Sequence, residues 1–206
     1  VLDFSEIVAK ALAGRGLSPE RCLEVLSVSD EDSLELVAKV WRVRSHYHGK
    51  RVQVQVLSNA KSGLCSEDCH YCSQSCISTA EIPRYPLKQP GSLLNEAWEA
   101  HRLQAKRLCM GLSGRTLTDT EVETLCEVIH AIKTEVGIKT CCSLGFLTPE
   151  QARRLREAGL DRVNHNLNTS ERYYPTICST HTFADRVRNL QICRSAGLEL
   201  CSGGIV

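Results

Sequence analysis

At 206 residues with 42% apolar content, the chain fills one large domain or two small ones and has the composition of a packed globular protein rather than a disordered one. Its 25 Lys and Arg against 24 Asp and Glu leave a net charge of +1, which gives no field to gather nucleic acid or an anionic membrane. No run approaches the roughly 20 apolar residues of a membrane span, and 1–6 has neither a basic patch nor a secretory apolar stretch, so a cytoplasmic location is expected.

The 12 cysteines fall below the density of a secreted disulfide scaffold, above about 8%. They predict reduced thiols engaged in metal or sulfur chemistry. Helical periodicity fills the chain to about residue 48: "LDFSEIVAKALAG", then "SPERCLEVLS" and "SDEDSLELVAKVWRVRSHYH", the last two opening on Ser-capped, acidic first turns. From there five β-like runs, "RVQVQVLS", "RLCMGLS", "IKTCCSLG", "DRVNHNLN" and "LELCSGGIV", alternate with helical stretches at about 92–106, 118–136, 148–158 and 182–196. Residues 1–50 are thus expected as a helical segment and 51–206 as an α/β domain.

Strand–helix alternation with short connections implies parallel strands joined by right-handed crossovers, in an open doubly wound sheet or a (β/α)8 barrel. Side-chain parity separates the two. One face carries Gln53, Gln55, Arg107, Cys109, Gly111, Lys139, Cys141, Ser143, Asn164, Asn166, Asn168, Glu199 and Cys201; the other carries Val52, Val54, Val56, Leu108, Met110, Ile138, Leu144, Val163, Leu167, Leu198 and Leu200. A sheet sandwiched between helices would be apolar on both faces, so the polar face predicts a TIM-type barrel whose lumen holds something polar. Five of its eight βα units are present, and the chain stops mid-pattern at "CSGGIV", which places three further units beyond Val206.

Between the first strand and the first of these helices runs "NAKSGLCSEDCHYCSQSC", with Cys65, Cys69 and Cys72 in CxxxCxxC spacing. Structural zinc wants four ligands, usually as two separated pairs. A cubane iron–sulfur cluster takes one thiolate per iron, so three cysteines on one loop hold three irons and leave the fourth for an exogenous ligand. A loop after a strand is where a barrel keeps its catalytic residues.

"CSEDCHYC" resembles the signature of radical S-adenosylmethionine (SAM) enzymes, and "NAKSGLCSEDCHYCSQS", "RLCMG", "AGLDRVNHNLNTS" and "LELCSGGIV" together resemble the biotin synthase family over about 51–206. The resemblance implies a 4Fe-4S cluster on Cys65, Cys69 and Cys72, with S-adenosyl-L-methionine chelating the open iron. It implies Tyr71 beside the adenine, Asn166 and Asn168 on the cofactor's ribose, and Asn164 on the substrate's ureido group. Asn168 stands where the family usually has Asp, which removes charge assistance from one cofactor contact. Cys109, Cys141 and Cys201 match the positions that hold an auxiliary iron–sulfur cluster, 2Fe-2S or larger, and supply the sulfur; all three share the polar face, while Cys142 falls on the apolar one as a buried small residue.

The implied reaction is sulfur insertion into dethiobiotin to give biotin, with a low-potential flavodoxin or ferredoxin as electron donor, a homodimeric assembly, and no nucleic-acid or membrane partner. The alternatives are a related radical enzyme with another substrate, or a non-catalytic iron–sulfur or sulfur carrier. His165 is expected on the helix side as a structural histidine, Cys22, Cys126 and Cys193 in helical cores, and Cys76 and Cys178 as spare thiols in packing or surface positions.

Overall fold

The computed structural model describes residues 3–205 and divides into two compact units, Val1–Val52 and Gln53–Val206. In the first, α1 (Phe4–Leu12), α2 (Pro19–Leu26) and α3 (Asp30–His48) begin where Asp3, Ser18 and Ser29 side chains accept first-turn N–H groups. The hydroxyl of Tyr47 on α3 donates to the Ala11 carbonyl of α1 at 2.8 Å. The amphipathic face of α2 buries no residue, and Cys22, expected in a core, is exposed.

The second unit is a five-stranded parallel sheet in the order β1-β2-β3-β4-β5: Gln55–Lys61, Arg107–Leu112, Lys139–Ser143, Arg162–Asn164 and Glu199–Cys201. Strands that neighbour one another in chain order, with no reversal, are the winding of a barrel; a doubly wound sheet switches direction part-way. The crossovers are α4 (Pro90–Arg102), α5 (Asp119–Ala131, extended by a π-helical turn Ile132–Val136), α6 (Pro149–Glu157) and α8 (Phe183–Ser195), the last preceded by the short α7 (Tyr174–Ile177). Thr118 with Glu121, Thr148 with Gln151 and Thr182 with Asp185 close capping boxes that start α5, α6 and α8.

The expected parity holds. Leu108, Met110, Cys142, Leu144, Val163 and Leu198 are buried and join Leu93, Leu125, Ile129 and Leu155 from the helices in one core. The odd-numbered residues of β2 and β3 turn the other way, so the fold is a partial (β/α) barrel with a polar inner face. Two strand limits differ from expectation. Val52 and Val54 are 80% and 45% exposed, because β2 begins opposite Gln55 and only the Val54 carbonyl, accepting from Lys106 N–H at 2.8 Å, has a partner further back. β4 spans three residues, since the chain turns at Asn168, whose φ of 68° is left-handed. Among the described residues no helix is long and apolar enough to cross a membrane.

Candidate functional site

The segment between β1 and α4 is long, and hydrogen bonds fix its path. Ser62 and Tyr85 exchange backbone bonds at 3.1 Å, Gly63 N–H donates to the Gln74 side chain at 2.9 Å, and Leu64 N–H to the Ser113 hydroxyl at 3.2 Å. Within it Cys72 N–H closes a turn on the Cys69 carbonyl at 3.0 Å. Cys65, Cys69 and Cys72 thereby line one cleft of about 270 Å³ at the carboxyl ends of β2, β3 and β4, together with Tyr71, Asn164, Asn166, Asn168 and Arg186. Every residue expected at the first cluster and its cofactor meets here. The loop after β3 seals one wall: Gly145 has φ 71°, and a Cβ there would stand 2.3 Å from the Arg115 carbonyl oxygen.

Two of these residues touch directly. The Asn168 amide donates to the Tyr71 hydroxyl at 2.6 Å. Burial pushes that hydroxyl's pKa upward. Arg186, on the first turn of α8, donates to the Asn166 carbonyl at 3.0 Å and to Tyr71 at 3.4 Å, presenting a guanidinium to the cleft. Periodicity could not single it out from the other polar residues of α8; only its capping box and its place after "NHNLN" hinted at the orientation.

Two acidic residues between the loop cysteines brace the loop from outside. Asp68 accepts N–H groups of Ser179 at 3.0 Å and Thr180 at 3.2 Å, and both hydroxyls. The Ser179 hydroxyl, more than any other partner, holds its carboxyl far below the usual carboxylate range. Burial alone would raise Glu67, but Arg115 (3.0 Å), the His181 ring and the Thr180 hydroxyl (2.9 Å) outweigh it and hold it below its ordinary value. Sequence reading missed Glu67, Asp68, Arg115 and His181 as a group. The signal was two adjacent acids inside a cysteine motif.

His165 is buried, as a structural histidine should be, but it also borders the cleft. Its ring meets Phe146 edge-on at 5.3 Å, its Nε2 has no hydrogen-bond partner, and burial pushes its pKa down to about 3. Cys178 is buried with its sulfur 3.8 Å from that of Cys69. Burial, and then that neighbouring thiol, push the Cys69 thiol up to about 12. Cys76 is exposed and Cys193 is in the core, as expected.

Deeper along the strands, register places Cys109 opposite Cys141, and Cys201 opposite Asn164, two residues further along than the Arg162–Glu199 pair that is level with Cys141. Hydrogen bonding with Cys141, aided by Arg107 and Arg162, outweighs burial and pulls the Cys109 thiol down to about 7, while Cys141 is pushed up. Beneath them Glu199 accepts from Arg162 at 2.9 Å and faces Arg107 at 3.5 Å, and Arg107 Nη1 is buried without a partner. A basic floor under paired thiols suits an anionic thiolate–sulfide cluster. The loop donors are likewise soft thiolates, which select iron–sulfur or zinc. The His181 ring, whose donor atoms lie beside Cys69, is engaged at both nitrogens, Nδ1 with Glu67 and Nε2 with the Tyr174 hydroxyl, and so offers zinc no free ligand atom. The loop thiols and the Cys109–Cys141 pair fit thiolate-ligated clusters, while Cys201 stands two residues further along its strand than that pair.

The family model of the radical SAM superfamily matches residues 61–206. Biotin synthase of Geobacillus kaustophilus is 44% identical over 200 residues, which cover 97% of this chain and 60% of that protein. Biotin synthase of Bacillus subtilis (strain 168) is 43% identical over 204 residues, 99% of this chain and 61% of that protein. The chain thus spans about 60% of the length of these curated relatives. Among solved structures, the FeFe-hydrogenase maturase HydG from Carboxydothermus hydrogenoformans superposes with TM-score 0.78 at 21% identity over 98% of this chain and 48% of its own. Methylornithine synthase gives 0.78 at 21%, covering 98% and 58%. At that identity the likeness is one of fold.

Proposed function

The chain belongs to the radical SAM superfamily, and on that premise we propose that it is the barrel portion of a biotin synthase, a sulfurtransferase that inserts sulfur between two saturated carbons of dethiobiotin. The observation that carries the reading is the convergence of Cys65, Cys69, Cys72, Tyr71, Asn164, Asn166, Asn168 and Arg186 on one cleft, in a sequence 43–44% identical to curated biotin synthases.

Cys65, Cys69 and Cys72 hold a 4Fe-4S cluster and leave one iron for S-adenosyl-L-methionine. Together, when bound, the two supply a carbon radical able to take hydrogen from a saturated carbon, for which no side-chain base is strong enough. The chain's part is position and exclusion of water. The Arg186 guanidinium faces the cleft as the natural partner of the cofactor's carboxylate. Tyr71 offers its ring to the adenine, Asn166 and Asn168 offer amides to ribose hydroxyls, and Asn164 offers its amide to the ureido ring of the substrate. Cys109, Cys141 and Cys201 hold the auxiliary, sulfur-supplying cluster over the Arg107 and Arg162 floor. A flavodoxin or ferredoxin supplies low-potential electrons, and the assembly is a cytoplasmic homodimer.

Anaerobic reconstitution with iron and sulfide tests this. The chain should gain iron and sulfide for both clusters, and Ala at Cys65, Cys69 and Cys72 should remove the loop cluster's share while leaving that of the auxiliary one; a full-length form should cleave the cofactor only when dethiobiotin is present. Iron and sulfide unchanged in the triple variant defeat the loop-cluster assignment, and cleavage indifferent to dethiobiotin points instead to a superfamily member with another substrate.

A further inference from the structure

Cys178 follows α7, and its sulfur reaches Cys69 across 109 residues of sequence. Both side chains are buried, at 3% and 7% exposure. Hydrogen bonds bracket the pair on either side. His70 N–H donates to the Ile177 carbonyl at 3.0 Å, and the Asp68 carboxylate accepts the Ser179 N–H at 3.0 Å. Ties at both flanking positions hold the two side chains face to face with their sulfurs 3.8 Å apart, so closing to the S–S length of about 2.0 Å asks for a side-chain shift of under about 2 Å. The two sulfurs also face different spaces: Cys69 lines the cofactor cleft, and Cys178 lines a cavity of about 500 Å³ bounded by Tyr174, Pro175, Thr182 and Phe183.

Cys69, Cys178 and His181 have donor atoms within 4.8 Å of one another, which raises a metal as an alternative occupant. The imidazole is already committed at both nitrogens, to Glu67 and to Tyr174, which leaves the two thiols of this group facing one another. Two opposed thiols without a metal are a disulfide site.

We propose that Cys69 and Cys178 form a reversible disulfide when the cysteine loop carries no metal, with a peroxide as oxidant. One sulfur displaces hydroxide from the peroxide, breaking the O–O bond and leaving a sulfenic acid; the other sulfur displaces that oxygen as water and forms the S–S bond. Two thiols lose two electrons and two protons, and hydrogen peroxide becomes two waters. The bond occupies a loop thiol, so the oxidised chain cannot take up the radical cluster until it is reduced, and Cys69 is kept from irreversible sulfinic acid. This consequence for the cluster, unlike the bond itself, rests on the function proposed above.

The test treats the reduced, metal-free chain with hydrogen peroxide, alkylates the remaining thiols and maps peptides by mass spectrometry. A linked Cys69–Cys178 peptide pair is expected, with loss of iron and sulfide uptake that dithiothreitol restores. In Cys178→Ser the link is absent, Cys69 advances to sulfinic acid, and dithiothreitol does not restore uptake. Pairing of Cys69 with Cys65 or Cys72 in the native chain, or equal sulfinic acid at Cys69 in both proteins, overturns the proposal; the native peptide map decides even where the variant folds poorly. If the reduced native chain takes up no iron, the cluster reading falls, and the peptide map still judges the disulfide.

Discussion

Asn168 holds a left-handed backbone that costs most L-residues about 1–2 kcal/mol and that Asn and Asp tolerate through local hydrogen bonding. Its amide braces Tyr71 at the same time. Asn168→Ala should therefore lose about 1–2 kcal/mol in urea unfolding from the backbone strain alone. Asn168→Asp keeps the backbone, accepts from the Tyr71 hydroxyl instead of donating to it, and adds charge to the proposed ribose contact. Equilibrium dialysis should show S-adenosyl-L-methionine bound roughly fivefold tighter, the worth of about 1 kcal/mol between a neutral and a charge-assisted hydrogen bond. That the three loop cysteines share one cleft was legible in the sequence because their close spacing keeps them on one loop. Arg186, Glu67 and Asp68 were not, since their meaning comes from partners up to 115 positions away.

Register between neighbouring strands turns single cysteines into a pair. β2 and β3 set Cys109 level with Cys141, and the shared hydrogen bond draws the Cys109 thiol down to about 7. In the metal-free chain Cys109 should be alkylated by iodoacetamide with a midpoint near pH 7, thiolate above it and unreactive thiol below. Cys141→Ala should move the midpoint up, towards the ordinary thiol range. The loops that follow these strands are fitted just as closely. Gly145→Ala should cost at least about 2 kcal/mol in urea unfolding, since it combines a left-handed backbone with a clash against the Arg115 carbonyl. Strand parity was readable because a period of two survives any error in strand limits; Cys109, Cys141 and Cys142 all face as their odd and even positions require. The limits themselves depend on local geometry: Val52 lies before the point where β2 begins opposite Gln55, and Asn168 still bonds the segment after β5 but its left-handed backbone sets it outside β4.

For the barrel unit as a whole, acid is the adverse condition. His165 has a folded pKa of about 3 against 6.5 in the open chain, lowered by burial. Below pH 6.5 the unfolded chain binds a proton at this ring that the folded chain refuses until about pH 3, so stability is full above 6.5 and falls on acidification through that window. The loss is about 1.4 kcal/mol per pH unit. Glu67 and His181, both also depressed, act in the same direction. The urea midpoint should drop between pH 6.5 and 4, and His165→Phe, which keeps a ring against Phe146, should flatten that drop. The sequential order of five parallel strands was implied by alternation alone, whereas the brace between Asp68 and Ser179 joins points 111 residues apart. A ribosome adding ~5–20 residues per second needs about 6–22 s to travel from one to the other. For that interval the three cysteines emerge without their support, so under the proposed function iron loading belongs after the birth of the fourth strand, and a nascent chain stalled before Ser179 presents its thiols to whatever metal or oxidant arrives first.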